Sequence, residues 1–292
     1  MIDRRLMFGA LLAVACGPEV GGGGEDGGTG SSSTGADAST GSSNSSSGVE
    51  VGCFEVVYGS LLLDEETDLE WLSTVREVTG QLTVNSFGGT RDLRELRCLD
   101  TVGGAIDIRR NPDLESLAGM EMLREIGDIL FVTENPRLKT LDLPVEKVCG
   151  VQIASNPNME SIGLANVRSI DFLSLGSSSC PDFPEPGAVP TIVGDNPLLK
   201  NVEALQNLEE AVLFIVAGQS GFVSTGGIVE TTEAFRRRYP DKQYGVQSEF
   251  LRNPSLSESE VSKVFEAEGR ESYGANQACE NRDDDRECTC FL

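Results

Sequence analysis

The chain contains no histidine. That absence removes Ser-His-Asp and Cys-His catalysis and any His-ligated zinc or haem site. Positive charge is scarce: 23 Lys and Arg stand against 47 Asp and Glu, a net charge of −24 over 292 residues. Nucleic acid repels such a polyanion, because binding to it rests on Lys and Arg neutralising phosphates, so no nucleic-acid partner is expected. Apolar runs are short, and none approaches the roughly 18 residues of a membrane-spanning helix. No glycine-rich phosphate loop joins a strand to a helix, since Gly21–Gly24 sits in low-complexity sequence. The segment Gly218-Gln-Ser-Gly221 is not a nucleophile elbow and has no His to serve it. With so many acids, carboxylate pairs arise by number alone, and nothing marks two of them as set to face one sugar. The expectation is a protein that is not an enzyme, with no cofactor and no metal site.

What is present begins with an export address. Arg4 and Arg5 precede an apolar run from Leu6 to Ala15, too short to span a bilayer and suited to a signal-peptide core. The run ends Leu12-Ala-Val-Ala-Cys16-Gly17, which resembles the lipobox of bacterial lipoproteins, although Ala13 replaces the commoner Leu. The resemblance implies residues 1–15 as a cleaved signal peptide, acylation of Cys16, a membrane contact made through that lipid alone, and sorting to an outer membrane or cell surface because Gly17 and not Asp follows the cysteine. An ordinary secretory signal with cleavage elsewhere is the alternative. Cleavage before Cys16 would remove Asp3, Arg4 and Arg5, leaving the remainder one unit more negative, so the body should not adhere to anionic headgroups. Residues 16–52 form the next segment, and from Gly21 to Gly48 it is nearly all Gly, Ser and Thr. Such composition cannot bury enough apolar surface to offset chain entropy. As a flexible coil, residues 17–48 would reach about 30 Å root-mean-square.

Residues 53–218 repeat. Asn-Pro pairs begin at Asn111, Asn135, Asn156 and Asn196, separated by 24, 21 and 40 residues, the last close to two periods. An apolar residue stands three after each Asn (Leu114, Leu138, Met159, Leu199) and another six after (Leu117, Leu141, Ile162, Val202). Short alternating runs such as Ile106/Ile108, Leu130/Val132 and Val151/Ile153 precede the Asn. Between runs, apolar residues fall every third position, as in Leu93, Leu96, Leu99 and Val102. Neither a helix nor a strand holds a spacing of three; a coil with short straight sides and cornered turns does. Eight strands at 20–24-residue intervals predict a solenoid with a parallel sheet and a shared Leu/Ile/Val interior. Asn-Pro is expected to end each strand, because Pro lacks a ladder donor and Asn bonds readily to local backbone.

The pattern Leu-x-x-Leu-x-Gly-Met-x-x-Leu-x-x-Ile-Gly at 114–127, followed by a short strand and Asn-Pro, resembles the receptor L domain, the leucine-rich right-handed β-helical module of insulin- and EGF-receptor ectodomains. The resemblance covers about residues 53–218 and implies a right-handed, leucine-rich parallel β-solenoid; with the helices read from the tail, the fold expected is mainly β with a small α-containing C-terminal cap. It implies nothing about growth factors, whose receptor contacts match no motif here. A polysaccharide-lyase type of β-helix is the alternative solenoid, but its long heterogeneous loops are lacking.

With inward residues committed to the core, recognition must use outward ones. The expected outward row is Leu62, Thr83, Asp107, Phe131, Gln152, Ser174, Ile192 and Phe214, flanked by Asp64, Asn85, Arg109, Thr133, Ala154, Gly176, Gly194 and Val216. Thr83, Asp107, Arg109, Phe131, Thr133, Gln152, Ile192 and Phe214 are the candidate binding face for a protein or glycan ligand. A one-residue slip in register would exchange inside and outside, and the tail could fold over the face. Export permits disulfides among Cys53, Cys98, Cys149, Cys180, Cys279, Cys288 and Cys290. Cys53 with Cys98 would cap the first coils, Cys149 and Cys180 could bridge neighbouring coils, and Cys279 is expected to pair with Cys288 or Cys290. Seven is odd, so one thiol is left over or pairs between chains. Residues 219–292 are read as a capping region with a Cys-containing tail. Thr232–Arg238 and a helix begun by the Ser257/Glu260 capping box are its helices. Arg236–Arg238 are expected to be solvated cations, and Asp283–Asp285 lacks the Gly and terminal Glu of a calcium loop. The function expected is a non-catalytic binding or adhesion module on a lipid-anchored surface protein. An architectural envelope protein without a discrete ligand, or a polysaccharide-active β-helix enzyme, are the alternatives.

Overall fold

The computed structural model describes residues 52–67, 71–179, 191–205, 207–240, 246–269, 277–279 and 281. The predicted signal peptide, Cys16 and most of the Gly/Ser segment lie outside them, as do Cys180, Cys288, Cys290 and Asp283–Asp285.

The chain from Cys53 onward is a mainly parallel β-solenoid with two α-helices among the described residues. Its principal sheet has nine strands: β1 (Leu61–Leu63), β2 (Leu82–Asn85), β3 (Ile106–Arg109), β4 (Ile129–Thr133), β5 (Gly150–Ala154), β6 (Ser169–Leu175), β7 (Glu210–Ala217), β8 (Gln247–Leu251) and β9 (Gln277–Cys279). Each pairs in parallel with its neighbours in sequence order. A second, four-stranded sheet of shorter segments (Glu55–Val57, Val75–Val78, Thr101–Val102, Glu125–Ile126) forms another side of the first coils.

The spacing of three does what was expected of it. Leu93, Leu96, Leu99 and Val102, then Leu114, Leu117, Met120, Leu123 and Ile126, are all buried, and with Leu130 and Ile153 they join one continuous core. No coil could bury these side chains alone; each is covered by the coils on either side. Close stacking also fixes glycine at the corner between the sheets. A Cβ on Gly127 would stand 2.0 Å from the carbonyl oxygen of Gly103, so only hydrogen fits there.

The Asn of each Asn-Pro pair serves a larger purpose than closing its own turn. Asn111, Asn135, Asn156 and Asn196 are at most 1 % exposed and form a ladder from coil to coil. The Oδ1 of Asn135 accepts from the backbone N–H of Asn111 at 3.2 Å and from its Nδ2 at 3.0 Å. Asn135 Nδ2 donates to the Ile108 carbonyl at 2.9 Å, and its own N–H donates to Asn156 Oδ1 at 3.0 Å. Asn156 stands in the same relation to Asn196. Gln219 takes the next rung, then Asn253 and Asn281. The residue before most of these is left-handed: Arg110, Glu134, Ser155, Gly218 and Arg252 have φ of 53–65°, which turns the chain so that the amide enters the interior. Outside, ion pairs such as Arg110–Glu134, Arg137–Asp113 and Lys147–Glu125 tie consecutive coils. They are exposed and contribute little individually.

Three expectations change. The segment around Ile192 is not a strand of the main sheet; Thr191–Val193 pairs antiparallel with Ser177–Ser179, and β6 pairs directly with β7. Phe214 is 1 % exposed and lies beside Leu173, hence in the core, and Val216 beside Leu175 is buried likewise. The run Glu-Ala-Val-Leu-Phe-Ile-Val-Ala at 210–217 has no polar alternation to set its phase, so the ladder neighbours set it instead. Finally, the sheet runs on past Gly218. Helix α1 (Gly226–Arg238) connects β7 to β8, and α2 (Glu258–Glu268) connects β8 to β9, so both helices are sides of further coils. Half of the expected capping box at α2 is formed: Ser257 Oγ accepts from the Glu260 N–H at 3.3 Å, while the Glu260 carboxylate accepts from the Thr225 N–H at 3.2 Å and pairs with Lys263.

Candidate functional site

The main sheet presents its odd face as one in-register row: Leu62, Thr83, Asp107, Phe131, Gln152, Ser174, then Ile215 and Glu249. Asn85, Arg109, Thr133 and Ala154 form the adjacent row. The structure thus brings together six of the eight candidate residues, Thr83, Asp107, Arg109, Phe131, Thr133 and Gln152. It places Phe214 on the opposite side and Ile192 off the sheet, and the side chain of Ile192 lies outside the described set.

The two halves of this face differ. From β1 to β5 it is mixed and partly open. Leu62 is 54 % exposed, and Thr83, Asn85, Arg109, Phe131, Thr133 and Gln152 are half-buried. Gln81 Nε2 donates to Thr83 Oγ1 at 3.1 Å. From β7 to β9 the same face carries a second buried apolar cluster, Ile215, Ala217, Leu251 and Cys279 with Leu213 against them, beside the half-buried Gln247 and Glu249 of β8. Ser174 marks the transition, 6 % exposed, its hydroxyl donating to the Gly176 carbonyl at 2.8 Å.

The centre of the open half is Asp107. Thr83 and Phe131 flank it on neighbouring strands, and Arg109, two residues along its own strand, pairs with its carboxylate. At 7 % exposure the carboxyl is pushed above its usual range by burial, against the pull of Arg109 and Arg110. The Arg109 Nε is buried and has no hydrogen-bond partner among the described residues. This is a carboxylate–guanidinium pair on a sheet face with an aromatic residue in register on the next strand, a combination suited to hydrogen-bonded recognition of a polar ligand.

The other groups singled out in the sequence are internally engaged. Arg237 pairs with Glu233, and Arg238 with Glu209 and Glu210. Cys53 and Cys98 form a disulfide that closes the first coils. Cys149 and Cys279 are also disulfide-bonded. Among the described residues no three His, Cys, Asp or Glu side chains converge to hold a metal ion, and no helix is long and apolar enough to cross a membrane. The ladder residues Gln219, Asn253 and Asn281 went unread in the sequence, although Asn253-Pro254 repeats the Asn-Pro signal. No family model, curated protein or solved structure matches this chain.

Proposed function

We propose that the chain is an exported, lipid-anchored surface protein whose solenoid binds a protein or glycan through the β1–β5 half of its main sheet face. The observation that supports binding is the contrast along one sheet. Its C-terminal half is largely filled by a buried apolar cluster, with only Gln247 and Glu249 half-buried beside it among the described side chains, whereas its N-terminal half keeps a row of half-exposed polar and aromatic groups around the Asp107–Arg109 pair. The anchoring part of the reading rests on the N-terminal sequence, where the apolar run ends at Cys16. Two or more acyl chains would hold such a chain stably, where one would not.

The test is capture of a defined envelope protein or of glycans on an array by the full chain. The Asp107→Ala/Phe131→Ala variant should lose at least tenfold in affinity, while Arg137→Ala, on another surface, keeps it. Unchanged capture by the double variant refutes the site. Separately, Cys16→Ser should move the protein from the membrane fraction to the soluble fraction and abolish incorporation of a labelled fatty acid. If it stays membrane-bound and labelled, the anchor is elsewhere.

A further inference from the structure

A solenoid has two ends, and the end formed by residues 52–67, which shares Leu62 with the sheet face, carries a strand edge and an apolar surface that the sheet-face reading does not use. Glu55–Val57 and β1 are the terminal strands of their two sheets. Leu61 N–H donates to the Gln81 carbonyl, so in a parallel ladder the N–H and C=O of Leu62 point the other way, toward the open edge. The Leu62 carbonyl meets only the Thr67 hydroxyl, at 3.5 Å, and its N–H has no partner among the described residues. An edge that no described residue covers is a template for another strand. The side chains around this edge are also unusually apolar for a surface. Phe54 is 66 % exposed, Tyr58 87 %, Leu62 54 %, and Trp71 on the next coil 40 %.

Charge chooses among occupants. Residues 52–67 carry Glu55, Asp64, Glu65 and Glu66 and no Lys or Arg. Arg76 on the second coil is turned to Asp100 at 3.3 Å. A second copy would bring the same acidic rim against this one. Residues 17–51 of the chain itself also contain acids and no Lys or Arg. We infer that this end docks an extended, cationic peptide segment of a partner protein, which adds as a strand beside β1. Main-chain hydrogen bonds give the pairing, alternate apolar side chains meet Phe54, Tyr58 and Leu62, and Lys or Arg between them faces the acidic rim. The first coil is pinned for this by the Cys53–Cys98 disulfide.

The probe is a fluorescein-labelled octapeptide of alternating lysine and valine, titrated with the purified full chain and followed by anisotropy. It should bind at least tenfold more tightly than the matched glutamate/valine peptide and weaken as salt is raised. Methylating alternate backbone nitrogens should abolish binding. Leu62→Pro removes the edge-facing N–H at a position where an edge strand tolerates proline, and should lose at least tenfold. Asp107→Asn, on the sheet face, should bind as the parent does, which separates this end from that site. Circular dichroism confirms that each variant is folded. Should Leu62→Pro misfold, Leu62→Lys, which keeps the backbone but replaces an apolar contact by a cation that repels the peptide's lysines, must lose binding instead. The inference is overturned if the lysine/valine peptide fails to bind, if Leu62→Pro or the methylated peptide binds equally well, or if sedimentation shows a self-associated chain that Leu62→Pro dissolves.

Discussion

If the amide ladder is what holds successive coils in phase, Asn135→Ala should be among the most damaging polar-to-alanine changes in the chain. The side chain accepts from the Asn111 N–H and Nδ2 and donates to the carbonyls of Ile108 and Thr133. At about 0.5–1.5 kcal/mol net for each such bond, four bonds come to roughly 4 kcal/mol. The Asn111 N–H would be left inside with no acceptor, and Asn135 is 0 % exposed, so water reaches it only by opening the coil. For a body of this size that loss corresponds to a fall of about 8–16 °C in Tm. The control lies one residue away. Glu134→Ala removes the exposed ion pair with Arg110 and should cost less than about 1 kcal/mol.

The assay is urea unfolding of both variants, with amide exchange of Asn111 as the local readout. Exchange of that amide should quicken in Asn135→Ala before global unfolding begins, because its only acceptor has gone. If Asn135→Ala and Glu134→Ala lower stability by the same small amount, or if the Asn111 amide stays protected, the ladder is decoration and the coils are held by leucine packing alone.

Gly127→Ala would set a methyl 2.0 Å from the Gly103 carbonyl and should destabilise by about 3 kcal/mol or fail to fold; a near-neutral urea midpoint would deny the close stacking of coils. Replacing both Cys53 and Cys98 by Ser opens a loop with a sequence separation of 45 residues and should cost about 4 kcal/mol on a chain-entropy estimate, read as early proteolysis of the first coils. Asp107 titrates upward in the folded chain because it is buried, so its protonated form favours folding. Its unfavourable contribution is absent below the ordinary carboxylate value, grows as pH rises toward the raised folded value, and is constant above it. Asp107→Asn should therefore raise the urea midpoint at pH 7, with the difference shrinking on acidification to pH 3; a difference that grows in acid would contradict the burial argument.

The architecture was legible because one physical requirement repeats. A coil of twenty-odd residues cannot bury its own leucines, so the spacing of three that points them inward recurs wherever a coil does. Legibility failed where that signal is uniform or where its carrier changes. At 210–217 every residue but the first is apolar, so alternation could not decide between Phe214 and Ile215, and the neighbouring strand decided. Past Gly218 the short leucine sides give way to α1 and α2, which bury Ile228, Val261 and Val264 at helical spacing. The period lengthens, yet Gln219, Asn253 and Asn281 keep the ladder going. The lasting repeat is thus the buried amide, and glutamine can carry it. A search for Asn-Pro alone finds the coils in which a proline happens to follow.

The same logic bears on where the molecule can recognise anything. Each added coil lengthens the sheet face by one strand, about 4.8 Å, but here the later strands place a second apolar cluster of Ile215, Ala217, Leu251 and Cys279 on it, beside half-buried Gln247 and Glu249. The first five strands, apolar on one side only, keep Thr83, Asp107, Phe131 and Gln152 in a single register line. Because that register is fixed by the core on the other side and by the ladder at the corner, the spacing of these groups cannot adapt to a ligand. A partner for this face must carry its complementary groups at the strand repeat, which is a constraint a linear polymer or an extended chain meets more readily than a compact small molecule.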